Sequence, residues 1–427
     1  MSASDSRRVF LSRLLGASTA AAALPLFPTD LRAPWPPLPM LSGPPDETYW
    51  ERVRAEFLFP AGQIPMNSAN MSPASRGVVD ALVKATRDVD GDVSYQNRAR
   101  FDELKERVRP RLATLLGAGP DEIAIVRNAS EANNIIVGGL ALGNGDEVVL
   151  LDQNHPTNNV AWDVRAARFG FTVRRVGFPR PPASADEVVT TLAGALSERT
   201  RVLAFSEISN STGLQVPAQP LCRLARARGI HVHIDGAQTC GVLEQRLTDM
   251  GCDSYAASAQ KWLMGPREAG LLYVRAERIP EVWPGVIGSG WGPTAEPSVK
   301  GARKFEMMGQ RNDAILEALS AALDLHERIG IAVIERRVRE LVARLAEGLS
   351  QAPALEFVTP APAELRLGVL VVKLPPETAR AAHERLYRTH AVITSPTGGL
   401  RFSPHVSVTL ADMDRAVRAV RQVLRSA

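Results

Sequence analysis

Two residues of this sequence have the types and setting needed for carbonyl chemistry. Asp235 ends the apolar run IHVHID and is followed at once by Gly236, which puts its carboxylate at a strand tip. Lys261, in SAQKW, lies 26 positions later, just past the next apolar run, SYAAS. A lysine amine brought to such a crevice condenses with an aldehyde, and an opposed carboxylate keeps a pyridine nitrogen protonated. Neither residue is specific alone, because aspartates commonly end strands and a Lys-Trp pair is more often found on a surface.

A third element adds an anion site. In VRNASEANNIIVGGL, Asn128, Ala129 and Ser130 fall at a helix start directly after a strand, where free N–H groups and the helix dipole favour a phosphate. The same residues also suit an ordinary N-cap. Ser258, three positions before Lys261, brings a further hydroxyl, and Asn210 in SNSTG ends the run RVLAFSEI within reach of a ring oxygen. An amine, a carboxylate and a phosphate cradle together are the protein's half of pyridoxal phosphate chemistry.

These residues need a sheet to bring them together. Short apolar runs at EIAIV, EVVLLD, TVRRV, RVLAFSEI, IHVHID, SYAAS and AGLLYV read as strands, and helical patterns such as DALVKATRD, FDELKERVRPRLATLLG and AQPLCRLARARG separate many of them. This alternation predicts an α/β fold, a mostly parallel sheet with helices on both faces, whose sites lie at the carboxyl ends of the strands. A long helical segment from Ala314 to Gly348, a strand in GVLVVKL and a closing helix from Asp412 predict a smaller C-terminal α+β domain over 314–427. Residues 46–313 are then an N-terminal arm and the large domain.

The beginning of the chain reads differently. SRRVFL, followed by the small apolar stretch Leu14–Phe27, is too short to span a bilayer, which takes about 20 apolar residues. It resembles a twin-arginine export signal over 1–33, followed by a Pro-rich linker over 34–45. A periplasmic or extracellular destination is expected, with no stable membrane span. The formal net charge is +4, and half of that excess sits in the leader. No long basic run interleaved with aromatics follows, so a nucleic-acid partner is not expected. Three cysteines without CxxC spacing, Cys222, Cys240 and Cys252, allow at most one disulfide and read as buried thiols, with no metal site.

Taken together, QIPMNSANMSPASRGVVDAL, RNASEANNI, HPTNNVAW, SNSTG, HIDGAQ, SAQKWLMGPREAGLLYV, KFEMMGQRN and LRFSPHVSVT resemble the class V aminotransferase-type enzymes of the fold-type-I pyridoxal phosphate (PLP) superfamily, and in particular isopenicillin N epimerase-like proteins. The similarity runs from about Phe59 to Leu410. It implies pyridoxal 5'-phosphate as cofactor. Lys261 would carry it and shuttle protons at the substrate α-carbon, Asp235 would pair with the ring nitrogen, and Gln238 would bond the phenolic oxygen with Asn210 nearby. Ala129, Ser130 and Ser258, joined by Gln260, would hold the phosphate. Arg401 would clamp a substrate carboxylate, and His155 would lie over the ring and join the catalytic set. It also implies a homodimer with a shared active site, Gln310 reaching the partner's phosphate.

Departures from the family pattern bear on the reaction. Pro156 follows His155, and some alignments place the stacking residue there; Gly309-Gln310 stands where relatives often have Gly-Thr. Cysteine desulfurases need a mobile cysteine shortly before the C-terminal arginine, and VITSPTGGLRF has none. The resemblance implies an enzyme acting at the α- or β-carbon of an amino acid or amino-acid-containing metabolite, with epimerase, racemase or C–S/β-lyase chemistry ahead of transamination or oxidation. A non-catalytic cofactor-fold binding protein is the remaining alternative. Trp291, Phe305 and His405 are candidate pocket walls.

Overall fold

Short strands, all but one edge strand buried on both faces, build the central sheet of the computed structural model, which describes residues 41, 43–288, 299–351 and 355–425. In chain order the strands are β1 (Ile64–Pro65), β2 (Ile123–Val126), β3 (Glu147–Leu151), β4 (Thr172–Val176), β5 (Thr200–Ser206), β6 (His231–Asp235), β7 (Ser254–Ser258), β8 (Gly270–Val274), β9 (Leu370–Val372), β10 (Val392–Ile393) and β11 (Leu400–Phe402). The export signal, most of the linker and Trp291 lie outside the described residues.

Seven strands form the main sheet in the order β2-β8-β7-β6-β5-β3-β4. The five from β7 to β4 are parallel, and β8 runs antiparallel to both its neighbours. Alternation decides which face each residue joins. On β5, Leu203 and Phe205 enter one apolar cluster while Val202 and Ala204 enter another on the opposite face. On β6, Val232 and Ile234 join the first cluster, so His231, His233 and Asp235 share the opposite face, where the Ala129–Gly139 helix packs. Parallel strands need crossover helices, and these bury both faces of the sheet.

The long helical segment expected from Ala314 is two helices, Ile315–Ile329 and Ile331–Ser350. Gly330 separates them with φ at 88°, a left-handed conformation that a β-branched residue would resist. Beyond them β9 and β11 pair antiparallel, and β1 pairs parallel with β10, so the arm before the main sheet is built into the C-terminal region. Ile64 and Met66 share its apolar cluster with Leu341, Leu345, Phe402 and Val420. The described residues from Gln63 onward belong to one compact unit with those before Pro60. All three cysteines are free and buried. Among the described residues no helix is long and apolar enough to cross a membrane.

Candidate active site

The carboxyl ends of β5, β6 and β7, each closing on Ser206, Asp235 or Ser258, open onto a cavity of about 540 Å³. Register sets this arrangement: Asp235 lies opposite Ser206 on one side and Ala256 on the other. Asp235 is buried and held by two donors, the Ala237 N–H to Oδ1 at 3.0 Å and the Asn133 side-chain amide to Oδ2 at 3.1 Å.

Lys261 follows β7 in the turn after Ser258 and lines the same cavity. Burial pushes its amine below the ordinary 10.5; Asp235 pulls the value back up and the Arg401 charge lowers it further. A depressed value raises the neutral fraction, the form able to attack a carbonyl or accept a proton.

The Ala129–Gly139 helix starts beside β7. Asn128 caps it by accepting from the Glu131 N–H at 3.0 Å, and the Ala129 N–H donates to Ser258 Oγ at 2.7 Å. Ala129's N–H is therefore engaged within the protein. Ser130, which is exposed to the cavity, and the Ser258 hydroxyl proton remain as donors for an anion at the helix N-terminus. Gln260 also lines the cavity, and its Oε1 is buried without a partner among the described residues.

Gln238 is fixed before any ligand arrives: its amide donates to Ala69 O at 3.0 Å and its Oε1 accepts from Trp262 Nε1 at 2.8 Å. One amide hydrogen is left over. Asn210 lies in the turn after β5, with its backbone oxygen taken by Arg401 Nη1 at 3.0 Å. Arg401, on β11, also donates from Nη2 to Asn67 Oδ1 at 3.0 Å, while its Nε is buried without a partner among the described residues. Burial pushes its guanidinium down to about 10. His155 is the N-cap of the Pro156–Phe169 helix, its Nδ1 accepting from the Thr157 N–H at 3.3 Å, so the neutral ring carries its proton on Nε2. Burial lowers its pKa, the Lys261 and Arg401 charges lower it further, and Asp235 opposes them.

All the sequence-derived site residues named above line this one cavity, Pro156 included. Gln310 does not: it is exposed beside a separate cleft of about 350 Å³ with Arg98, Asp102 and Lys105. Two of the candidate walls are also elsewhere. Phe305 packs in the core with Ala302 and Ile279, and His405 is buried under Trp262, with its Nε2 2.9 Å from the Trp262 carbonyl oxygen. Sequence reasoning missed Asn133, Asn67, Asn70, Ser395 and Thr397. Asn133 had a signal, since it sits one turn past Ser130 on the helix face that meets the strand tips. The other four come from distant segments that only the tertiary fold brings in.

The residues present fit pyridoxal 5'-phosphate. Asp235 and Arg401 are both buried, 4% and 3% exposed, and among the described residues neither is in an ion pair. A buried charge without a direct ion pair is costly. Bound cofactor and substrate would answer both: a protonated ring nitrogen at Asp235 and a carboxylate at Arg401. Ser130 and Ser258 would hold the phosphate and Lys261 the aldehyde carbon.

The architecture is that of the fold-type-I PLP enzymes. It superimposes on the cystine C–S lyase C-DES with a TM-score of 0.77, at 23% identity, covering 84% of this chain and 98% of that one. The cysteine desulfurase from Thermococcus onnurineus gives 0.77 at 22% identity, covering 88% and 98%. The family model for aminotransferase class-V matches residues 66–420, and the chain belongs to that family. It is 32% identical to isopenicillin N epimerase from Amycolatopsis lactamdurans, over 88% of this chain and 99% of that protein. A probable cysteine desulfurase from Xylella fastidiosa is 30% identical over 75% and 80%. The protein is a PLP-dependent enzyme.

Proposed function

We propose that the protein is an epimerase acting at the α-carbon of an amino acid or amino-acid-containing metabolite. The observation that carries this reading is Arg401, a buried guanidinium that makes no ion pair among the described residues and lines the cavity that also holds Lys261 and Asp235. Its fork suits a substrate carboxylate and would turn the α-carbon toward the lysine. Bound PLP supplies an aldehyde for amine exchange and a protonated ring that draws electron density from the α-carbon. Lys261, its amine biased to the neutral form, takes the α-proton at Nζ. His155, which also lines the cavity, takes up a proton from solvent and as the imidazolium returns it to the opposite face, ending as the neutral ring. Asp235 anchors the ring nitrogen, and Gln238 gives its remaining amide hydrogen to the ring oxygen.

The isopenicillin N epimerase relatives support this reading over sulfur transfer. So does the cysteine inventory: Cys222, Cys240 and Cys252 are buried, none lines the cavity, and burial pushes the thiols of Cys222 and Cys240 up to about 12. A buried, protonated thiol is a poor sulfur acceptor.

The same proposal includes a homodimer in which Gln310 serves the partner's site, supported by its exposure in a cleft separate from the cavity. It also includes export by the twin-arginine route to the periplasm or beyond, supported by SRRVFL and the small apolar stretch behind it. Incubation of the cofactor-loaded protein with an amino-acid and peptide panel in deuterated water tests the reaction. Deuterium at the α-carbon with all substituents retained is expected; a fragment or keto acid as main product would replace epimerisation with elimination or transamination.

A further inference from the structure

Behind Asp235 a line of buried side chains runs along the helix-facing side of β6. His231, His233 and Asp235 occupy alternate positions of one strand, and β7 contributes Ser254 in register with His233. His231 Nε2 is 3.0 Å from Ser254 Oγ, and Ser254 Oγ is 2.9 Å from His233 Nδ1. His233 Nε2 is 2.8 Å from Asn133 Oδ1, and the Asn133 amide nitrogen is 3.1 Å from Asp235 Oδ2. All five residues are at most 5% exposed.

Each proton in this line follows from the one before. A carboxylate accepts only, so Asn133 must turn its NH₂ toward Asp235 and its oxygen toward His233. His233 Nε2 must then donate. Burial pushes His233 down to about 3, so the ring is neutral, Nδ1 is bare, and the Ser254 hydroxyl donates to it. Ser254 Oγ accepts in turn from His231 Nε2–H. His231 Nδ1 is left as a bare lone pair, and that atom is the one without a partner among the described residues. Burial, with the charges of Arg278 and Arg275 nearby, holds His231 well below the ordinary histidine value. Every hydrogen bond therefore donates toward Asp235, an arrangement in which each link polarises the next.

We infer that His233 is a positioning residue for the cofactor: it locks the Asn133 amide with its NH₂ toward Asp235, and so fixes the carboxylate oxygens that meet the ring nitrogen. Without the His233 donor, the buried Asn133 oxygen has no partner and the amide is free to turn. Its carbonyl then faces the carboxylate and repels it. This inference rests on the assignment of Asp235 to the ring nitrogen.

The experiment has two parts, both on the full PLP-loaded protein. Histidine-selective ¹⁵N NMR of the unaltered protein should show His231 and His233 neutral and protonated on Nε2 at neutral pH. A proton on His233 Nδ1, or a doubly protonated ring, overturns the inference even where a variant does not fold. Cofactor retention and the visible absorption band are then measured for Asn133→Leu, His233→Leu, the double variant and His233→Gln, whose amide restores the donor. The loss of one charged hydrogen bond corresponds to roughly tenfold weaker retention. Each Leu variant should show it with a shifted band, the double variant should be no worse than either, and H233Q should recover most of it. Additive losses, an unchanged H233L, or an H233Q that behaves as H233L would each overturn it. Asp235→Ala separates the two levels: unchanged retention there removes the ring-nitrogen assignment, whereas a loss there with H233L unaffected removes only the role of His233.

Discussion

Trp262 Nε1 donates to Gln238 Oε1 at 2.8 Å, tying the residue after Lys261 to the loop that follows Asp235. Trp262 is fully buried, and its backbone oxygen also receives contacts from His326 and His405. The tryptophan that made a Lys-Trp pair look like surface is thus the brace between the two halves of the site. Trp262→Phe removes the donor and keeps most of the ring volume. It leaves Gln238 Oε1 buried and unpaired, a cost of about 1–3 kcal/mol. A lower urea midpoint and faster cofactor release are expected, with the substrate KM little changed; unchanged cofactor release would show that Gln238 holds its position by other means.

Lys261 sets a pH profile. Its amine works in the neutral form, freed once a substrate amine has displaced it from the cofactor, and burial lowers its pKa from 10.5, so kcat should rise with pH through a midpoint below that value. Lys261→Ala should abolish turnover while the protein remains folded by circular dichroism. A midpoint at the ordinary lysine value would mean that the amine is solvated in the working enzyme.

Arg401 acts on both substrate and lysine. Arg401→Gln removes the carboxylate clamp and should raise KM by roughly tenfold or more, the worth of a charged hydrogen bond. It also removes a cation that depresses Lys261, so the midpoint of the pH profile should move upward. A raised KM with an unmoved midpoint would separate the two effects and limit Arg401 to substrate binding.

The strands of the main sheet were legible because their apolar runs are short and bounded, and Asp235 and Lys261 because strand ends are where such a fold exposes polar groups. Gly330 was a weaker signal. The helical pattern on either side of it is continuous, so two helices read as one, although glycine is the residue that tolerates φ at 88°. Phe305 and His405 were misplaced for the opposite reason, since large side chains near motif residues suggest pocket walls, yet burial area favours them in the core. Asn67 and Ser395 carry no local signal, because they come to Arg401 and its cavity only through the pairing of distant segments.

Glu207, one residue past β5, gives the last prediction. Its carboxyl is fully enclosed, accepts from Thr239 Oγ1 at 2.6 Å, and is pushed up to about 7 by burial against the lowering effect of Thr239 and Gln245. Thr239 Oγ1 also lies 2.8 Å from the Tyr255 hydroxyl, which donates to Gly236 O at 3.2 Å, so the acid supports the turn between Asp235 and Gln238. Because the folded value lies above the unfolded one, the protonated acid stabilises the fold. That contribution is complete below the ordinary carboxyl value of 4.5 and is lost as pH rises through about 7. Between these limits the unfolded chain releases the proton while the folded chain keeps it, so this group lowers stability by about 1.4 kcal/mol per pH unit. Glu207→Gln is neutral throughout and should flatten that slope, making the variant's stability relative to the parent rise with pH. Urea midpoints taken across the window for both proteins measure it, and parallel curves would mean that Glu207 is already ionised in the folded state.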